Sequence, residues 1–179
     1  RRHPPQKPRP EGVAVSPMPE PATAYISAGA IRGNVEAVRR RIPPGTPICA
    51  AVKANAYGHG LDQILPVLRE CRIDHLAVAN LEEGLDLRSK GWSGLVLCLG
   101  PILATTSQAD RARRAAEAVA GGITATITSI DEARVLAAAA QRQHRSARVE
   151  VQVDTGMGRC GVRCEKTVDL VISAASLQH

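Results

Sequence analysis

Short apolar runs alternate along the chain with longer segments in which apolar residues recur every three or four positions. The run ICAAVKA (Ile48 to Ala54) is almost continuously apolar, as expected of a parallel strand that is covered on both faces. Leu61 to Glu70 instead places its leucines and isoleucine on one helical face. The same patterns predict further strands over 22–27, 75–79, 94–100, 123–127 and 147–155, and helices over 28–41, 81–90, 107–120, from 129 onward and over 167–176.

This alternation predicts an α/β fold of about five strand–helix units, with a parallel sheet and helices outside it. Periodicity alone leaves two arrangements open, a doubly wound sheet and a (β/α)8 TIM-type barrel. A closed barrel needs about eight strands, so in the second arrangement the chain would hold an incomplete, N-terminal part of the barrel.

Composition separates a tail from a single domain and disfavours nucleic-acid binding. Residues 1–21 contain seven of the 12 prolines and almost no apolar pattern, so we expect a disordered tail before one domain over 22–179. Aromatic residues make up only 2% of the chain, with no Phe, which argues against a surface that stacks bases. The net charge of +6 is dispersed, as on an arginine-rich surface, so we expect no nucleic-acid partner.

The cysteines and the hydropathy pattern bear on location. The five cysteines form no CxxC pair, and Cys160 and Cys164 lack histidines at zinc-finger spacing. We therefore expect neither a metal site nor a disulfide framework, which fits a reducing cytoplasm. No apolar run approaches the roughly 18 residues that a membrane span needs, so we expect no membrane segment.

The segment AVKANAYGHG (51–60) contains the strongest chemical candidates. Lys53 comes at the carboxyl end of the predicted buried strand, where α/β folds bind their ligands. Tyr57 follows four residues later, close enough for its hydroxyl to reach a group held near Lys53, and Gly58 and Gly60 allow close backbone approach. On spacing alone, the simpler interpretation is a strand-end lysine that extends into solvent, with His59 as a surface or turn histidine.

The identity of the residues in this segment, rather than their spacing, changes that interpretation. VKANAYGHG (52–60) closely resembles the pyridoxal-phosphate attachment motif of the alanine racemase family, and VQVDTGMGRCGV (151–162) resembles its DTGMxRxG segment. The connecting stretch DHLAVANLEEGLDLRSKG (74–91) is similar to that family as well. The order and separation of the three segments agree with the family's N-terminal barrel, and the resemblance covers residues 23–176.

The resemblance implies the N-terminal part of a (β/α)8 barrel in a pyridoxal-phosphate-dependent racemase, which interconverts L- and D-alanine to supply the cell wall. Lys53 matches the lysine that holds the cofactor and exchanges a proton with one face of the substrate α-carbon. Tyr57 matches the tyrosine that binds the cofactor phosphate. Arg159 matches the arginine that contacts the cofactor's phenolic oxygen and orients the substrate carboxylate. The family often has a lysine, sometimes carbamylated and then anionic, where this chain has Gln152, which leaves Arg159 without that possible anionic partner.

In the family, the remaining site residues and a β-domain come later in the sequence, and a tyrosine for the opposite substrate face crosses a homodimer interface. We therefore expect this chain to be an N-terminal fragment that does not racemise alanine alone. An unpaired strand edge would also favour its aggregation. A second interpretation is a non-catalytic pyridoxal-phosphate-binding barrel of the cofactor-homeostasis type, which shares the fold and the lysine but lacks the β-domain. The ANAYGHG run argues against it.

Overall fold

The computed structural model describes residues 24–177, and the tail predicted over 1–21 lies outside this range. Five parallel strands form one sheet, in the order β1 (Cys49–Ala51), β2 (His75–Val78), β3 (Leu95–Pro101), β4 (Ile123–Ile127) and β5 (Val149–Val151). Each strand pairs with the next one in the chain. A doubly wound sheet reverses its strand order at a switch point, whereas a (β/α)8 barrel adds its strands in succession. The fold is therefore the N-terminal part of a barrel, which confirms the predicted class.

Helices connect the strands and pack beside one another. They are α1 (Ala28–Arg39), the single turn α2 (Lys53–Tyr57), α3 (Leu61–Glu70), α4 (Leu81–Ser89), α5 (Gln108–Ala120), α6 (Ile130–Arg142) and α7 (Cys164–Ala175). Helix α4 contacts α5, α5 contacts α6, and α6 contacts α7, as expected when crossovers of one hand place the helices on one side of a sheet. Within residues 24–177, none of these helices is both long and apolar enough to span a bilayer.

Short polar side chains determine where four of the helices begin. The side-chain oxygens of Ser27, Asn80, Ser107 and Ser129 each accept the backbone N–H three residues further on. At α6 the Glu132 carboxylate also accepts the N–H of Ser129, which completes the capping box that the sequence predicts. These caps satisfy N–H groups that a helix leaves unpaired at its start, so they fix where each helix leaves its strand.

The core lies between the sheet and its helices and is built from aliphatic side chains. Its most buried large residues include Leu76, Leu81, Leu87, Val96, Ile127 and Leu136. Ala115 and Ala118 of α5 and Ala139 and Ala140 of α6 are completely buried. Because the alanine side chain is small, α5 and α6 pack closely against each other. Close packing leaves little volume between them, so no phenylalanine is needed to fill it.

Two predictions at the N-terminal side are wrong. The strand predicted over 22–27 is absent from its described part, because residues 24–27 are irregular and Ser27 already caps α1. The strand predicted to run to Ala54 ends at Ala51, and the chain then turns sharply from Lys53. The continuous apolar run extends past the strand because Val52 is buried beyond the end of β1.

At the C-terminal side, the strand predicted over 147–155 is interrupted at Gln152. Its second half, β6 (Val153–Asp154), leaves the main sheet and pairs in parallel with β7 (Val162–Arg163), a strand that the sequence pattern does not indicate. Helix α7 begins at Cys164 rather than at 167 and has no side-chain cap. The β6–β7 pair encloses the segment that contains Arg159.

Candidate functional site

Lys53 stands immediately beyond β1, at the carboxyl end of the sheet. The preceding Val52 is 4% exposed and anchors the strand end in the core, and its N–H donates to the carbonyl of Ala77 in β2 (2.8 Å). Lys53 itself is only half-buried. The lysine therefore has a fixed backbone and a side chain that solvent and small molecules can reach.

The backbone that follows Lys53 coils in the left-handed sense. Ala54, Asn55, Ala56 and Tyr57 have φ angles between +52° and +55°, a region that residues with a Cβ rarely adopt. The Ala56 N–H donates to the Val52 carbonyl (2.8 Å), and the Gly58 N–H donates to that of Ala54 (3.0 Å). Left-handed helical backbone costs about 1–2 kcal/mol per residue for L-amino acids. Contacts from outside the turn must therefore hold it in place.

Glu83 supplies the main external contact. Its Oε1 accepts the N–H of Ala54 (2.8 Å), and its Oε2 accepts the N–H of Ala79 (2.7 Å). Because Ala54 follows Lys53 and Ala79 follows β2, one carboxylate ties together the carboxyl ends of two neighbouring strands. Glu83 itself is fixed by the cap of α4, since its N–H donates to Asn80 Oδ1 (2.9 Å).

The far end of the turn is joined to helix α3. Asn55 Oδ1 accepts the N–H of Leu61, the first residue of α3, at 2.7 Å. His59 Nδ1 lies 2.8 Å from the carbonyl oxygen of Ala56. That contact gives His59 a local role in the turn. The turn is thus held at its start by Glu83 and at its end by Asn55.

The left-handed turn brings Lys53 and Tyr57 together. The Lys53 Nζ lies 5.9 Å from the centre of the Tyr57 ring, within the range of a cation–π contact. Tyr57 is 59% exposed, so its hydroxyl can bind a ligand beside the lysine. A group attached at Nζ would therefore have a phenol beside it.

Arg159 lies in a second shaped loop, between β6 and β7. Asp154 Oδ1 accepts the N–H groups of Gly156 (2.9 Å) and Gly158 (3.0 Å), and these bonds hold the pKa of Asp154 below its usual value. A Cβ at Gly161 would lie 2.5 Å from the Asp154 nitrogen, so the loop closes tightly enough to require glycine there. Arg159 is exposed on this loop.

Gln152 contacts the neighbour of Arg159. Its Oε1 lies 3.0 Å from Cys160 Sγ, which donates to it. Within residues 24–177, Arg159 forms no hydrogen bond and no ion pair, and no contact joins it to Lys53 or Tyr57. It follows β5, at the opposite edge of the five-stranded sheet from β1. The structure thus brings Lys53 and Tyr57 together and places Arg159 on another loop, between β6 and β7.

Sequence reasoning did not identify Glu83, Asn55 or Asp154 as parts of the site. The spacing from Asn80 to Glu83 is a capping pattern, which shows that the carboxylate stays near the start of α4 but not that it reaches Ala54. No group of three or more His, Cys, Asp or Glu side chains within residues 24–177 could hold a metal ion.

Comparison with known proteins agrees with this architecture. The family model for the alanine racemase N-terminal domain matches residues 26–179. The alanine racemase of Streptococcus pyogenes serotype M28 is 38% identical over 160 residues, which is 89% of this chain and 41% of the relative. This chain therefore spans about two fifths of the curated relatives that it matches.

Solved structures give the same result. The alanine racemase of Clostridium difficile 630 superposes with a TM-score of 0.73 at 30% identity, over 83% of this chain and 37% of that one. A histidine racemase from Leuconostoc mesenteroides superposes with a TM-score of 0.74 at 23% identity, over 84% and 38% of the two chains, a likeness of fold alone. With the family model covering most of its length, the chain belongs to the alanine racemase N-terminal domain family.

Proposed function

We propose that Lys53 is the pyridoxal-phosphate lysine of an amino-acid racemase whose substrate is alanine. The observation that carries this proposal is a half-buried lysine fixed at the carboxyl end of β1, with the Tyr57 ring centre 5.9 Å from its Nζ. An accessible amine beside an exposed phenol fits a cofactor that combines an aldehyde with a phosphate.

Each residue has a separate task in this proposal. The Lys53 amine holds the cofactor and moves a proton to and from one face of the substrate α-carbon. The Tyr57 hydroxyl would hold the cofactor phosphate, and the Arg159 guanidinium would bind the phenolic oxygen and orient the substrate carboxylate. Pyridoxal phosphate, when bound, withdraws electrons from the α-carbon so that its proton can be removed.

Racemisation also requires an acid or base on the opposite face of the α-carbon. Lys53 serves one face only, and in this proposal a tyrosine of the partner subunit in a homodimer serves the other. D-Alanine made in the cytoplasm for the cell wall is the physiological product in this proposal. We accordingly expect the 179-residue chain to bind the cofactor without interconverting alanine enantiomers.

Borohydride reduction in the presence of pyridoxal phosphate, followed by peptide mapping, tests the assignment. We expect a pyridoxyl adduct on Lys53 and its loss in Lys53→Ala, with Lys90 as an internal control because that amine lies 2.7 Å from Asp62. An adduct at any other lysine would refute the assignment of Lys53 as the cofactor lysine. Racemisation of alanine by the purified chain, abolished by Lys53→Ala, would contradict the expected inactivity while supporting the role of Lys53.

A further inference from the structure

A cavity of about 500 Å³ opens at the amino end of the sheet, opposite the end that carries Lys53. It lies among the segments that lead into β3, β4 and β5. Its polar and aromatic lining residues are Arg88, Trp92, Ser93, Arg145, Ser146 and Arg148. The proposed racemase chemistry uses none of them.

Three guanidinium groups line this cavity, and no carboxylate is among its lining residues in the described part of the chain. Two arginines elsewhere on the domain are neutralised by acidic partners: Arg32 lies 2.6 Å from Glu70, and Arg114 lies 2.5 Å from Glu82. Burial lowers the pKa of Arg88, and the positive charge of Arg148 lowers it further. Like charges therefore face each other here without neutralisation.

Arg88 is a fixed part of the cavity wall. Its guanidinium donates to four backbone carbonyls that surround the amino ends of β3 and β4, those of Trp92 (2.7 Å), Gly94 (2.7 Å), Gly121 (2.7 Å) and Gly122 (2.9 Å). These bonds give Arg88 a structural role. They also hold its charge in place, so that a ligand does not have to order this side chain.

Arg145 and Arg148 retain donors for a ligand. Arg145 donates once, from Nη1 to the carbonyl of Ala120 (2.7 Å). The Arg148 side chain forms no hydrogen bond within residues 24–177, although a guanidinium carries five N–H groups, and only the Arg148 carbonyl accepts one, from the N–H of Ala125 (2.9 Å). The indole N–H of Trp92, a residue only 5% exposed, is buried and unpartnered within the same range. The Arg148 guanidinium, exposed and without a side-chain partner in this range, can therefore bind a ligand beside the other two arginines.

We propose that this cavity binds the phosphate group of a small phosphorylated molecule. Three positive charges without a counter-charge among the lining residues match a dianion better than the single charge of a carboxylate, and guanidinium forks bind phosphate oxygens in pairs. The volume of about 500 Å³ exceeds that of a phosphate alone, so it leaves room for an organic remainder. The site is independent of the Lys53 end of the sheet.

The single tryptophan of the chain makes the proposal testable, because Trp92 lines the cavity. Inorganic phosphate is titrated into the purified chain at constant ionic strength, while Trp92 emission and binding heat are recorded together. We expect saturable binding that Arg148→Ala weakens by about tenfold, equivalent to about 1.4 kcal/mol, because one charge-assisted contact to the phosphate is lost. Arg142→Ala is the matched control: it removes one exposed arginine from the last turn of α6, outside the cavity, and should leave binding unchanged.

Three outcomes would overturn the proposal. The first is the absence of a saturable binding heat. The second is an equal weakening of binding by Arg142→Ala and Arg148→Ala, which would indicate general charge attraction. The third is equally tight binding of acetate, which would indicate a carboxylate site. Lys53→Ala should retain the Arg148-dependent binding. Loss of that binding in Lys53→Ala would locate the phosphate at the opposite end of the sheet and would also overturn the proposal.

Discussion

Replacing Glu83 tests whether the lysine turn depends on a contact from outside itself. The Glu83 carboxylate accepts two backbone N–H groups, one from Ala54 and one from Ala79. Hydrogen bonds to charged groups contribute about 1.5–3 kcal/mol each. Ala54 is exposed, so water replaces part of its lost bond, and we expect Glu83→Ala to lower the free energy of unfolding by about 3 kcal/mol.

Glu83→Gln is the more informative variant. Glutamine has only one acceptor oxygen, so it can serve one of the two N–H groups, and its amide NH2 then faces the other. We expect a loss of about 2 kcal/mol. Glu132→Gln is the matched control, because Glu132 occupies the same position at the start of α6 and accepts from Thr128 and Ser129 through the single atom Oε2. One glutamine oxygen can take that place, so we expect a loss of only about 1 kcal/mol.

Two measurements separate a local effect from a general one. Urea unfolding followed by circular dichroism gives the stability of each variant, and amide hydrogen exchange at Ala54 and Ala56 reports opening of the turn. Glu83→Gln should accelerate exchange at both amides, whereas Glu132→Gln should not. If Glu83→Gln costs no more than Glu132→Gln and leaves exchange at Ala54 unchanged, the carboxylate does not hold the turn.

Three further predictions concern the turn, the thiols and the loop before Arg159. Ala54→Gly should raise the free energy of unfolding in urea by about 1 kcal/mol, because glycine removes the cost of a positive φ; a loss of stability would contradict this. Burial raises the pKa of Cys98 to about 11, so at pH 8 a maleimide should label the exposed Cys160 and Cys164 but not Cys98. Peptide mass spectrometry measures the labelling, and labelling of Cys98 in the native protein would refute its burial. The folded-state pKa of Asp154 is lowered, so its contribution to stability is present above the usual value of about 3.9 and is lost as the pH falls through the folded value. The urea midpoint should therefore fall less steeply with decreasing pH below pH 4 in Asp154→Asn than in the unmodified protein. An equal slope in the two proteins would contradict a stabilising role for the hydrogen bonds from Gly156 and Gly158 to Asp154.

The elements predicted correctly from sequence are those whose signals are local. Helix α3 and strand β4 have their predicted bounds, since each is a periodic or apolar run that stops at residues of different character. The start of α6 follows from Ser129 and Glu132, whose hydrogen bonds span only three residues. The interruption at Gln152 has no such signal, because β6 pairs with β7 after an intervening loop and the pairing depends on the folded chain.

The candidate site divides in the same way. The four-residue spacing of Lys53 and Tyr57 indicated that they lie close together, and they do. The reason for their proximity was not visible, because alanine disfavours left-handed backbone and Asn55 alone, as a single tolerant residue, does not reveal a left-handed turn. Glu83 reaches Ala54 across 29 residues of sequence, a contact that no local pattern specifies.

The strained turn gives Lys53 a local folding equilibrium of its own. Any aldehyde that attaches productively to Lys53 must find the turn formed, so its apparent affinity scales with the fraction of molecules in that state. Once the open turn predominates, each further loss of about 1.4 kcal/mol in the free energy of forming the turn reduces the formed fraction about tenfold. Glu83 and Asn55 would then adjust the affinity of a ligand attached at Lys53, so substitutions behind the lysine would change how well that ligand is retained.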